Sequence, residues 1–268
     1  FKTIFDKVSI PVALLVGNMK KGARNAILEG LEAGKIPIVI GTHALIQDDV
    51  NFKNLGLVVV DEQHRFGVNQ RAKLLGKSVN PHFLAMTATP IPRTLAITYH
   101  GDMDLSIIDE MPANRIPVVT KVVEPLRMTK VYKFIEKEVD AGYQCMVIYP
   151  LVEESGKSDL AAAVEAHQEL DEKIFPNISV GLIHGRMKTE EKDAVMNKFA
   201  NNEISILVST TVVEVGVDIP NATIMVIEHA ERFGLTQLHQ LRGRVGRGTK
   251  KSYCILVERN VTETSKTR

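Results

Sequence analysis

Tryptophan is absent from the 268 residues, and cysteine occurs only twice, at Cys145 and Cys254. Two cysteines set inside apolar runs exclude a disulfide framework and imply small buried hydrophobes in a reducing, cytoplasmic setting. His82, His100, His167, His229 and His239 stand at no metal-ligand spacing from one another or from the cysteines, which argues against zinc. No apolar run reaches the roughly 18 to 20 residues that span a bilayer, and the start has no signal-peptide layout, so no membrane partner is expected. An excess of one charge is missing too. A formal net charge of +1 and a sequence pI near 7.9 exclude a uniformly basic surface, so any nucleic-acid footprint must be local. There is neither a short-period repeat nor a low-complexity tract.

What is present is the composition of an ordinary globular protein, 44% hydrophobic and 24% charged, with enough length for two domains that each bury a core. Apolar strand-like runs alternate with helix-patterned segments. Strands are expected at 11–16, 36–40, 55–60 and 82–86, with helices at 20–33 and 69–75. Asp109 to Pro117, with two prolines, an Asn and an Arg, interrupts the series as a candidate linker. Beyond it, strands are expected at 116–123, 144–149, 179–183, 204–208, 223–227 and 252–257. Helices are expected at 128–141, 159–173, 190–199 and 235–241. Repeated β-α-β units with short connections imply mostly parallel sheets covered by helices. The expected division is 1–112 and 113–268.

Chemistry concentrates where strands end, the edge at which α/β proteins bind ligands. Val58-Val59-Val60 stops abruptly in Asp61-Glu62, two carboxylates that could hold a metal on a nucleotide and handle an attacking water, or simply form a polar turn. The strand at 36–40 ends in Gly41-Thr42-His43, and that at 82–86 ends in Thr87-Ala88-Thr89-Pro90-Ile91-Pro92-Arg93. In one parallel sheet the three turns would share one edge. In the second half, His184-Gly185-Arg186-Met187 and the stretch from Ser209-Thr210 to Gly216-Val217-Asp218 play the same part. Gly216 would let backbone approach a ligand, and Asp218 could accept from a ribose hydroxyl or an arginine; the alternative reading is a loop that needs its glycine only for its own turn. Gln240-Leu241-Arg242-Gly243-Arg244-Val245-Gly246-Arg247-Gly248 alternates arginine with glycine just after a helix, a pattern suited to bidentate contact with polyphosphate. Acids in one half and arginines in the other suggest a nucleotide held in a cleft between domains.

These strings, in this order, resemble the motor region of the RecG family of bacterial branched-DNA helicases, members of helicase superfamily two. Gly41-Thr42-His43 resembles motif Ib, Asp61-Glu62-Gln63-His64 motif II, and Thr87-Ala88-Thr89 motif III. His184 to Asp218 resembles the region of motifs IV to V, and Gln240 to Arg247 motif VI. The wider strings Asp61 to Val68, Thr87 to Thr94 and Gln237 to Gly248 are shared with a relative, the transcription-repair coupling factor, while His64 after Gln63 favours RecG. The resemblance implies two RecA-like domains, ATP and Mg²⁺ as cofactors, and branched DNA as partner. It leaves the oligomeric state open.

By the same resemblance, Asp61 would bind Mg²⁺ through water and Glu62 would activate the hydrolytic water. Gln63, His64, Thr87 and Thr89 would couple nucleotide state to movement. Arg244 and Arg247 would contact the phosphates, with Gly216, Asp218 and Gln240 also serving the nucleotide. Thr42, Arg186 and Thr210 would grip DNA phosphates, contacts that are blind to sequence and so suit a translocase.

One departure matters. The phosphate loop Gly-x4-Gly-Lys-Ser/Thr of these enzymes is not in the chain, and Gly156-Lys157-Ser158 is no substitute because Leu151 stands where the first glycine belongs. Phe1 in place of Met, the missing loop and the missing fork-gripping wedge lead to the expectation of an internal fragment, its first domain truncated and hydrolysis of ATP by it alone poor or nil. The remaining readings are the motor of the coupling factor and a nucleic-acid-binding module without catalysis.

Overall fold

A computed structural model of the chain describes residues 5, 9–62, 67–87, 103–112, 115–150, 156–210 and 219–259. Two compact units divide it, Phe1–Leu105 and Ser106–Arg268. The division falls somewhat ahead of the expected 112/113, and the proline-bearing stretch 109–117 belongs to the second unit.

In the first unit, β1 (Val12–Leu15) pairs in parallel with β2 (Ile38–Gly41), and β3 (Leu57–Val60) pairs in parallel with β4 (His82–Ala85). Helix α1 (Lys21–Glu32) makes the crossover between β1 and β2, and α2 (Val68–Leu75) that between β3 and β4. Gly67 N–H donates to Gln70 Oε1 at 3.1 Å, so an N3 glutamine satisfies a backbone donor ahead of α2. Along β3 the alternation is strict. Val58 and Val60 are buried, while Leu57 and Val59 face outward with Leu14 and Leu84.

Here the expectation of one continuous edge needs correcting. Among the described residues no ladder joins β2 to β3 or β4, so the turn at Gly41-Thr42-His43 lies on a different strand pair from the turns after β3 and β4. Hydrophobic period locates strands but does not choose their partners. The loop after β2 is instead held by polar contacts. Arg24 of α1 meets Asp49 at 2.8 Å, Lys73 of α2 meets Asp48 at 2.7 Å, and Lys77 Nζ donates to the carbonyls of Gln47 and Val50, both at 2.7 Å.

The second unit is a six-stranded parallel sheet in the order β5-β10-β9-β6-β8-β7. Its strands are β5 (Val119–Val123), β6 (Gln144–Tyr149), β7 (Val180–Ile183), β8 (Ile206–Thr210), β9 (Ala222–Ile227) and β10 (Tyr253–Val257). The helices are α3 (Met128–Asp140), α4 (Gly156–Glu169), α5 (Thr189–Ala200) and α6 (Leu235–Arg242). Successive strand residues feed opposite faces. Met146, Ile148, Leu207, Met225, Ile227 and Cys254 pack against Phe199 of α5 and Leu241 of α6. Cys145, Val147, Ile206, Val208, Ile224 and Val226 pack against Met128, Val131 and Ile135 of α3. Both cysteines are free and fully buried, and burial pushes the Cys254 thiol up to about 11.

Two elements differ from the sequence expectation. The strand expected from 116 starts at Val119, because Pro117 lacks an N–H for the ladder. The helix expected to run through 173 gives way at Leu170 to one π turn, Leu170–Ile174, closed by a bond from Phe175 N–H to Leu170 O at 2.7 Å. That wider turn buries both Leu170 and Phe175 against the sheet.

Candidate functional site

In the first unit the acidic turn is a direct extension of β3. Val58 and Val60 anchor the strand in the core, and the register Val60↔Ala85 with β4 continues through a bond from Met86 N–H to Val60 O at 2.8 Å. Asp61-Glu62 and Thr87 therefore leave the same edge of one strand pair.

The turn itself is tight. Glu62 has φ of 51°, in the left-handed region that costs a residue with a Cβ roughly 1 to 2 kcal/mol. Its N–H is bound by Asp61 Oδ1 at 2.9 Å, which ties one oxygen of Asp61 and fixes the orientation of an otherwise exposed carboxylate. Backbone strain of this kind persists only where the surroundings enforce it, and it gathers at functional sites.

No group of three or more acidic, histidine or cysteine side chains that could hold a metal occurs among the described residues. Mg²⁺ keeps several waters and takes one or two carboxylates alongside substrate phosphates, a demand the exposed Asp61 carboxylate can meet. Thr42 is exposed just after β2, where Gly41 is obligatory because a Cβ would lie 2.3 Å from Leu15 O.

The second unit sorts its candidates onto two edges. Since all six strands are parallel, the ends of β7, β8 and β9 share one edge, bearing His184-Gly185-Arg186, Thr210 and Glu228 respectively. Arg186 is exposed there. Burial, then the cations Lys192 and Arg186, hold the His184 imidazole below the usual histidine range, and its Nδ1 is buried without a partner. Thr210 is fully buried with Oγ1 unpartnered, placed behind the edge and not on its surface.

The arginine loop lies at the opposite edge. Residues 243–252 lead from the end of α6 into the start of β10, beside the starts of β5 and β9. Val119 N–H donates to Ser252 O at 2.9 Å, and a Cβ on Gly248 would lie 3.6 Å from Pro220 O. Gln240 is half-buried on α6, Arg244 half-buried after it, and Arg247 exposed with its Nε donating to Gly243 O at 3.3 Å. The two inner glycines differ. Gly243 caps the helix in ordinary right-handed geometry, whereas Gly246 has φ of 74° and a Cβ there would meet Val118 Cγ2 at 2.6 Å.

Gln63, His64, Thr89, Gly216 and Asp218 lie outside the described residues. Two features escaped the sequence reading. Glu228, 2% exposed, pairs with Arg259 at 2.9 Å beside Tyr149, whose phenol is pushed up by burial first and by Glu228 second. Arg115 Nε donates to Gly246 O at 3.1 Å. Neither pairing has a local signal, since the partners lie far apart in sequence.

Comparison with known proteins agrees with the two-unit α/β fold. Residues 1–97 match the DEAD/DEAH box helicase family and residues 127–249 match the helicase conserved C-terminal domain. Fold and family matches together define the class, a pair of RecA-like domains of the helicase type. Within it, the chain belongs to the RecG family. It is 56% identical to ATP-dependent DNA helicase RecG of Synechocystis sp. over 264 residues, covering 98% of this chain and 32% of that protein. Against RecG of Bacillus subtilis the identity is 54% over 266 residues, covering 99% and 39%. A solved structure of RecG bound to a three-way DNA junction matches with a TM-score of 0.76 and 49% identity, over 100% of this chain and 34% of that one. Lhr of Mycobacterium smegmatis bound to ssDNA and AMP-PNP, 18% identical with a TM-score of 0.68 over 96% of this chain and 35% of that one, shares the fold alone. The chain spans about a third of the length of the curated relatives it matches.

Proposed function

We propose that this chain is the motor segment of an ATP-dependent DNA helicase that remodels branched DNA, such as stalled forks and Holliday junctions, in recombination and repair in the cytoplasm. The observation that carries the reading is the strained Asp61-Glu62 turn at the end of β3 in a chain more than half identical to RecG helicases. The solved relative held on a three-way junction supports branched DNA as the partner.

Asp61 would hold Mg²⁺ through water, and the ion supplies charge neutralisation on the triphosphate. Glu62, fixed in direction by its left-handed backbone, accepts the proton of the attacking water. Arg244 and Arg247 act on the phosphates, where planar cations stabilise charge that develops during transfer. Gln240, Gly216 and Asp218 serve the nucleotide. Gln63, His64, Thr87 and Thr89 pass its state to the DNA-gripping residues. Thr42 and Arg186, both exposed, suit direct phosphate contact, and Thr210, buried behind the same edge as Arg186, supports it from beneath.

The test is DNA-stimulated ATPase in the full-length protein carrying this sequence. Glu62→Gln keeps size and removes the base, so kcat should fall by about 10²- to 10⁴-fold while binding of a fluorescent ATP analogue persists. Unchanged hydrolysis in that variant would remove Glu62 as the base, and DNA binding with no ATPase in either protein would favour a non-catalytic binding module.

A further inference from the structure

The stretch 109–117 reads in the sequence as a connection, yet its last residues are bound to the arginine loop. Arg115 Nε–H donates to the carbonyl of Gly246 at 3.1 Å, a contact spanning 131 positions of the chain. Arg115 is itself steadied by its N–H donating to Pro112 O at 2.9 Å. Three residues further on, Val118 fills the space where a side chain on Gly246 would stand, and Val119 bonds to Ser252 at the far end of the loop.

Gly246 lies between Arg244 and Arg247. A bond to its carbonyl fixes the peptide plane from which Arg247 leaves, and the left-handed φ of 74° sets the turn between the two arginines. A guanidinium donor makes a stronger bond than a neutral one would and is held in one plane. Groups that stabilise a transition state lose their effect when displaced by about 1 Å.

We propose that Arg115 is a positioning residue for the arginine loop, holding the Gly246 carbonyl so that Arg247 meets the nucleotide phosphates in register. This rests on the reading of Arg244 and Arg247 as the groups that act on ATP. Arg115 touches neither substrate nor metal in this role. It works through Arg247.

The experiment is a double-mutant cycle on DNA-stimulated ATPase of the full-length protein, with Arg115→Ala, Arg247→Ala and the pair. Arg115→Ala should lower kcat about tenfold and leave KM for ATP within about twofold, because the arginines are needed most in the transition state. The pair should be no slower than Arg247→Ala alone. Arg115→Lys, which keeps the charge, should recover part of the loss. Should Arg115→Ala lower the thermal midpoint, Arg115→Gln, which retains most of the stem and an N–H donor, replaces it in the same cycle. A loss that persists undiminished in the Arg247→Ala background overturns the proposal, since it marks a general structural effect. So does full activity of Arg115→Ala when Arg247→Ala is impaired. Full activity of Arg247→Ala itself overturns the reading of the arginine loop, a different result from either.

Discussion

Replacing Gly246 with alanine separates two explanations for the arginine-glycine alternation, close approach to phosphate and the geometry of the loop itself. Two costs follow from the structure. An L-residue at φ of 74° is strained by about 1 kcal/mol. The new Cβ would meet Val118 Cγ2 at 2.6 Å, an overpacking worth about 1 to 3 kcal/mol once the neighbours shift. The sum for Gly246→Ala is about 2 to 4 kcal/mol of lost stability in the second unit. Gly243→Ala is the control. Its φ of −67° is ordinary and its nearest contact is 3.4 Å, so the change should be within about 0.5 kcal/mol of zero. Urea denaturation followed by far-UV circular dichroism measures both. Adding Val118→Ala to Gly246→Ala should restore the overpacking part, leaving about 1 kcal/mol of backbone strain. Equal midpoints for the two glycine variants, or no relief from Val118→Ala, would refute the reasoning.

The buried pair offers a second test. Arg259→Met strands the Glu228 carboxylate, 2% exposed, and should cost about 2 kcal/mol, below the 3 to 5 of a fully buried pair because Arg259 is partly in water. Glu228→Gln, which strands no acid, should cost less, and denaturation midpoints decide the order. His184 gives a pH dependence. Its folded pKa is depressed, so the unfolded chain binds the proton more readily, and this contribution to stability, present above the ordinary histidine value, is lost as pH falls through the folded pKa. The thermal midpoint should drop between pH 7.5 and 5, and the drop should shrink in His184→Gln. An equal drop in the variant removes His184 as its source.

Much of the second unit was legible from its sequence. Gln144 to Tyr149 forms a strand over those residues, since a run of β-branched and apolar residues buried on both faces of a parallel sheet has few other places to go. The helices at 128–141, 190–199 and 235–241 shifted by no more than a residue or so at their ends. The π turn at Leu170 was hidden, because it answers to burial of Leu170 and Phe175 and not to any local signal. In the first unit the strands were legible but their grouping into separate pairs was not. Of the site, residue types and order pointed to the acids and arginines. Strain at Glu62, burial of Thr210 and the placing of the arginine loop on the edge opposite Arg186 are set by tertiary contacts.

By itself the sequence determined the elements, the family and the chemical inventory. Those depend on near neighbours: an apolar period, a proline, two acids after a valine run, arginines spaced by glycine. The tertiary structure alone decided which strands pair, which edge each loop occupies, and why Gly246 must be glycine. Those depend on contacts between residues far apart in the chain, Arg115 with Gly246, Val118 with the same glycine, Glu228 with Arg259. No local pattern encodes such partners, because a hydrogen bond or a steric limit exists only once folding has brought both sides together.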